Sequence, residues 1–253
     1  MDFKFFLEVA PSGGMTYLGW LGSGVLWTML VSLCAWVIAF TLGSVLGVVR
    51  TTPLKIPRAL ATAYVEVFRN IPLLVQMFLW YFVMPELVPK AFGDWIKQDL
   101  PNVVDLPFAQ FSLWEFIAAV LCLGLYTASR VAEQVRAGIH SLAPGQASAG
   151  LAMGFTLPQV YRFVLLPMAY RLVIPPMTSE FLTIFKNSST ALTIGVLELT
   201  AQSRQISEYT FRTFEAFTAA TLIYVVITLT VIFLMRALES RVAVPGFIAQ
   251  AGH

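Results

Sequence analysis

WLGSGVLWTMLVSLCAWVIAFTLGSVLGVV, from Trp20 to Val49, contains no Asp, Glu, Lys or Arg. About 20 apolar residues carry a helix across the hydrocarbon core of a bilayer, and this run exceeds that. In lipid every backbone N–H and C=O must find its partner within the chain, so a single run of this kind crosses as a helix. The composition extends the reading to the whole protein. Hydrophobic residues make up 58% of the 253 and charged residues 12%, against roughly 45–50% and 25% in a soluble domain. So few charges exclude a soluble surface and a disordered chain alike.

Further runs follow. Residues 60–83 carry Glu66 and Arg69 in their first half, and 111–142 carry Arg130, Glu133 and Arg136. Residues 164–185 are interrupted by Pro167, Pro175 and Pro176 and hold Arg171 and Glu180, while 217–238 are uncharged as far as Met235. With 20–49 these make five expected spans in one all-α polytopic domain covering residues 1–253. Between them, 84–110 hold four prolines, four acids and two lysines and read as a water-exposed loop. The semi-polar stretch 186–215 suits a short re-entrant or interfacial helix. Arg50, Lys55 and Arg58 follow the first span without an acid, and Arg136, Arg162, Arg236 and Arg241 fall in the same alternate set of loops. The positive-inside rule therefore places the N-terminus outside and the C-terminus in the cytoplasm. Cys34 and Cys122 lie in apolar runs and read as core residues rather than a disulfide. Asp2, Lys4 and Glu8, with a first apolar run too long for a signal h-region, argue against a cleavable leader.

One connection has a structure of its own. Gly145 to Pro167 reads GQASAGLAMGFTLPQVYRFVLLP. Pro144-Gly145 ends the third span. Gln146 to Met153 can form a short helix whose small residues allow close approach by a partner, with Gly154 suited to its C-cap. Thr156 with Gln159 three residues on is a capping-box pattern, and Pro158 fits a first turn. Residues 143–163 thus read as two short helices about a glycine corner on the cytoplasmic face.

This loop resembles the cytoplasmic signature of ABC-importer permeases: a Glu-Ala-Ala triplet, three residues, glycine, nine residues, an aliphatic residue, one more, then Leu-Pro. Here the triplet is Ser148-Ala149-Gly150, the glycine is Gly154 and the proline is Pro167. Ser148 replaces the usual glutamate and Gly150 the second alanine. The resemblance continues in Glu66-Val-Phe-Arg69-Asn70-Ile71-Pro72, in Glu133 to Ile139, and in Lys186-Asn187-Ser188-Ser189 with Ile194-Gly195. The pattern is closest to glutamate/aspartate-type permease subunits. It implies the fold of type I ABC-importer permeases, with Gly145, Gln146, Ser148, Ala149, Gly150, Gly154 and Pro167 coupling to an ATPase. It also implies partners: an ATP-binding subunit carrying ATP and magnesium, a second permease chain that is identical or related, and a periplasmic amino-acid-binding protein. This chain is expected to sit in the bacterial inner membrane, to hold no cofactor and to catalyse nothing itself.

Charges at membrane depth cost about 2.5–3.5 kcal/mol each on insertion scales, so each needs a partner or a wet path. Glu66 and Arg69, three apart on one helix, are expected to form a structural ion pair. Arg130 stands where the resembling permeases for other amino acids commonly carry tyrosine. Its planar fork suits a carboxylate, which makes Arg130 the expected contact of an acidic substrate. Glu133, at i+3, either neutralises Arg130 or takes the substrate ammonium. The resemblance adds Lys186, Asn187 and Ser188 to the expected substrate contacts. No G-x-x-x-x-G-K-[ST] loop, zinc spacing or G-x-S-x-G elbow is present. The scattered basic residues give no nucleic-acid surface. A permease for another polar amino acid, a channel subunit and a secondary transporter are the alternatives.

Overall fold

The computed structural model describes residues 3–11, 14–100 and 112–242, which are helical apart from turns and one isolated bridge between Val9 and Thr16. Eleven α-helices are assigned among these residues: α1 (Tyr17–Val49), α2 (Lys55–Asn70), α3 (Leu73–Phe78), α4 (Met84–Leu87), α5 (Lys90–Asp94), α6 (Leu113–His140), α7 (Pro144–Ala152), α8 (Leu157–Val160), α9 (Leu166–Asn187), α10 (Leu199–Thr210) and α11 (Thr213–Val242). Three of them, α1, α6 and α11, are long and apolar enough to cross a membrane. A fourth crossing arises if α2 and the Leu73–Leu87 segment are taken as one broken span. The sequence reads 60–83 as one continuous segment, whereas the helix starts at Lys55 and breaks at Ile71-Pro72. Proline lacks the N–H that would continue the ladder and pushes the residue before it out of the α region. Pro72 instead stands at the N-cap of α3. Helix α9 is long enough to cross, but it carries Arg171, Glu180 and Lys186 along with its internal Pro175-Pro176.

The chain divides into two compact units. One comprises Met1–Ile38, Ile71–Leu125 and Thr183–Leu229. Its core gathers Phe5, Phe6, Tyr17, Trp20, Leu199 and Ile206, with Trp20 meeting Tyr17 and Tyr209 edge-on at 5.6 and 5.8 Å. The expected short helix is present as α10, preceded by a 3-10 turn over Ser188–Ile194 that ends at Gly195, φ +99°. Glu198 caps α10: its carboxylate accepts from the Thr200 and Ala201 amides at 2.9 and 2.8 Å and from the Tyr224 hydroxyl at 2.7 Å. Burial pushes this carboxyl above the usual carboxylate range, against the pull of those donors. The expected loop 84–110 is partly helical, since α4 and α5 fold against each other with Gly93 pressed on the Pro85 carbonyl. The remainder of that loop, 101–110, and Phe111 lie outside the described residues. Both cysteines are free. Cys122 is buried as expected, but Cys34 is exposed, because it shares the outward face of α1 with Leu33 and Val37.

The other unit comprises Ala39–Asn70, Tyr126–Leu182 and Thr230–His253. Within it α1 and α6 touch through backbone. A Cβ placed on Gly43 would lie 2.7 Å from the Ala128 carbonyl oxygen, and one on Gly47 would lie 2.6 Å from Val135 Cβ. Small residues four apart permit this close approach. Further along α6, Gly138 packs against Val173 of α9. The half of α6 in this unit therefore forms its centre, with Ala128, Val131 and Ala132 fully buried.

Candidate functional site

Packing of α6 against α1 and α9 brings distant charges together. Arg130 of α6 meets Glu180 of α9 side-on, with Nε donating to Oε2 at 2.6 Å and Nη2 to Oε1 at 3.2 Å. The Glu180 side chain is 7% exposed and that of Arg130 39%. One turn along α6, Glu133 collects three arginines. Arg50, just past α1, donates from Nη1 to Oε2 at 2.7 Å. Arg136 donates from Nη2 and Nε to Oε1 at 2.5 and 3.2 Å. Arg69, in the last turn of α2, brings Nη1 to 3.6 Å from Oε2. Arg69, Arg130, Glu133, Gln134 and Glu180 line a cavity of about 140 Å³. Drug-sized ligands occupy roughly 300–1,000 Å³, so this one suits a small polar solute.

The two groups contain four guanidiniums, of Arg50, Arg69, Arg130 and Arg136, and two carboxylates, of Glu133 and Glu180. Their formal sum is +2. Such an excess of fixed positive charge attracts an anion.

Two expectations change here. Among the described residues no ion pair joins Glu66 to Arg69. Glu66 is exposed and accepts from the Asn70 amide at 3.4 Å, while Arg69 turns to the less exposed Glu133, where the field of a carboxylate is less screened. Nor does Glu133 neutralise Arg130; Glu180 does, and Glu133 is held by Arg50 and Arg136. Lys186, Asn187 and Ser188 belong to the other compact unit. The Ser188 hydroxyl is used on the Phe185 carbonyl at 2.7 Å, and the Asn187 carbonyl accepts from Thr190. Lys186 instead borders a larger, largely apolar cavity of about 480 Å³ with Ser189, Thr200 and Tyr224. Arg50, Gln134 and Glu180 are site residues that the sequence reading leaves out. Glu180 alone carried a signal, as a charge at spanning depth without a partner on its own helix.

The expected loop is present as α7 and α8. The Gly154 amide bonds the Leu151 carbonyl and the Phe155 amide the Gly150 carbonyl, at 3.0 and 3.1 Å, around a Gly154 φ of +87°. That is a Schellman ending. Gln159 Oε1 accepts from the Thr156 amide and hydroxyl at 2.8 and 2.9 Å, closing the capping box. Gly150, where an alanine is usual, is explained by packing: a Cβ there would lie 3.0 Å from Val160 Cγ2. Gly145, Ser148, Ala149 and Pro167 are exposed, and Gln146 is half-buried. Tyr161 ties the loop to the end of α1, donating to the Thr51 carbonyl at 2.9 Å and pairing with its hydroxyl at 3.1 Å.

Apolar helices long enough to cross a bilayer, a charged cavity beside the central one and a capped two-helix loop define a polytopic membrane transport protein. The chain belongs to the family of binding-protein-dependent transport system inner membrane components, whose model matches residues 39–244. It is 50% identical over 246 residues to the glutamate/aspartate import permease protein GltJ of Escherichia coli K12, covering 97% of this chain and 96% of that one. It is 34% identical to a probable amino-acid ABC transporter permease, PatM, of Vibrio harveyi, over 90% of this chain and 92% of the relative. Its fold matches the crystal structure of an amino acid ABC transporter with histidines at a TM-score of 0.72 and 30% identity, covering 89% of this chain and 95% of that one.

Proposed function

We propose that this chain is a permease subunit of an ATP-driven importer of glutamate and aspartate. The observation that carries the reading is the small cavity beside α6, where Arg130 keeps 39% of its side chain exposed within a charge group summing to +2. The two carboxylates and one ammonium of an acidic amino acid complement that excess. The GltJ likeness supports the same substrate class. In this scheme five spans form the single permease domain, with α2 and the helix after Pro72 as one and α9 as another. The N-terminus lies outside, and α7 and α8 face the cytoplasm, where an ATPase subunit hydrolyses ATP. A second permease chain completes the pathway and a periplasmic protein delivers the substrate.

Reconstitution into liposomes with the ATPase and capture protein tests the substrate. Labelled glutamate uptake should require ATP and be suppressed by aspartate. Uptake suppressed by glutamine and indifferent to aspartate overturns the reading. The orientation has its own test in single-cysteine labelling, in a background lacking Cys34 and Cys122. A cysteine at Gly145 should react from the inner side, and reaction from the outer side alone contradicts the scheme.

A further inference from the structure

We infer that the cavity of about 480 Å³ beside α11 holds one anionic phospholipid, with its phosphate on Lys186 and an acyl chain along α11. The cavity lies within the first compact unit. Lys186 and Ser189 edge it, while Thr221, Tyr224, Val225 and Leu229, at i, i+3, i+4 and i+8, set one face of α11 along it. Lys186, in the last turn of α9, is exposed, and among the described residues no carboxylate pairs with it. Glu198, behind Tyr224, is fully buried and bonded to the Thr200 and Ala201 amides and the Tyr224 hydroxyl instead. A cation on a spanning segment needs an anion or a wet path.

The rest of the lining is apolar and faces the bilayer. Helix α11 is the least buried of the three helices able to cross. The cavity runs from the first third of this 30-residue helix to its middle, which keeps it inside one leaflet. Where this chain packs helix on helix it uses glycine, at Gly43, Gly47 and Gly138. No glycine occurs in Thr213–Val242, and Leu222, Val225 and Leu229 stand exposed. Small residues let helix backbones approach; large aliphatic ones around a hollow seat a flexible acyl chain better than a second helix. The Lys186 stem can lie on that lining while its ammonium reaches the phosphate, a charge-assisted contact. A net-anionic headgroup brings no cation of its own to this place, whereas phosphatidylcholine does. The lysine that the sequence reading gives to the substrate thus serves the bilayer.

The test uses the assembled permease–ATPase complex in mild detergent and a phosphatidylglycerol carrying a diazirine midway along one chain. Photolysis and peptide mapping locate the label, which should fall on residues 221–229. Unlabelled phosphatidylglycerol should displace the probe at roughly one-fifth the concentration that phosphatidylcholine needs, the effect of one lysine on an anionic lipid. Lys186→Gln should bring the two lipids to equal potency with the label on the same peptide, and Lys186→Arg should keep the preference. Val225→Trp, which fills the cavity, should remove the label. A wild-type complex with no label on this stretch has protein over the groove, and that overturns the inference. So does displacement by both lipids at equal concentration in wild type, a preference that survives Lys186→Gln, or a Val225→Trp complex labelled like wild type.

Discussion

Replacing Arg130 by tyrosine removes both hydrogen bonds to Glu180 and leaves a carboxylate only 7% exposed. Breaking one side of a fully buried pair costs about 3–5 kcal/mol, mostly for the stranded charge. Arg130 is 39% exposed, so solvent reaches part of the vacated site and relieves some of that cost. About 2–3 kcal/mol of destabilisation is expected on this geometry. Adding Glu180→Gln removes the stranded charge and should recover most of it, leaving about 1 kcal/mol for the missing hydrogen bonds. Transport should behave differently. A pair that served structure alone would regain uptake together with stability. A pair that receives substrate would not, because neither the carboxylate nor the ammonium then finds its partner. The measurements are thermal inactivation of the purified complex and initial glutamate uptake in liposomes, for Arg130→Tyr, Glu180→Gln and the double variant. Expected is a double variant that is stable and inactive. Wild-type uptake in that variant would refute a substrate role for Arg130.

Gly154→Asp should insert and assemble, yet lose the ATP hydrolysis stimulated by loaded capture protein. Nothing lies within 4 Å of its Cβ, so the damage comes from a φ of +87° and an added charge at the loop surface; normal stimulation contradicts this role for the loop. Gly47→Ala should destabilise by about 1–3 kcal/mol through overpacking, since its Cβ would lie 2.7 Å from the Ala132 carbonyl, which cannot rotate away. Gly22→Ala, with nothing within 4 Å, serves as the control, and equal melting of the two variants counts against the close α1–α6 contact.

What could be read in advance depended on how local the determinant was. Charge-free runs announced α1 and α11 because lipid solvation acts on each segment by itself. The Schellman corner at Gly154 and the Thr156–Gln159 box were legible because each closes within six residues. The break at Pro72 was equally local, but a hydropathy reading averages over it. Ion pairs were the failure. Glu66 and Arg69 have the spacing of a helical pair, yet Arg69 turned to Glu133. Arg50 reached Glu133 across 83 positions, and Arg130 reached Glu180 across 50. Such partners are set by which helices pack together, and helical spacing says nothing of that.

The bond between Tyr161 and Thr51 has a kinematic consequence. Thr51 is the neighbour of Arg50, and Arg50 holds Glu133. A displacement of the α7–α8 loop therefore reaches the wall of the cavity through one phenol, one peptide unit and one ion pair, without crossing a flexible linker. Close contact at Gly43 and Gly47 sets the last turns of α1 against the Ala128–Val135 stretch of α6, which opposes shear between these two segments. Tyr161 anchors the loop beside that contact as a crank is pinned to its shaft.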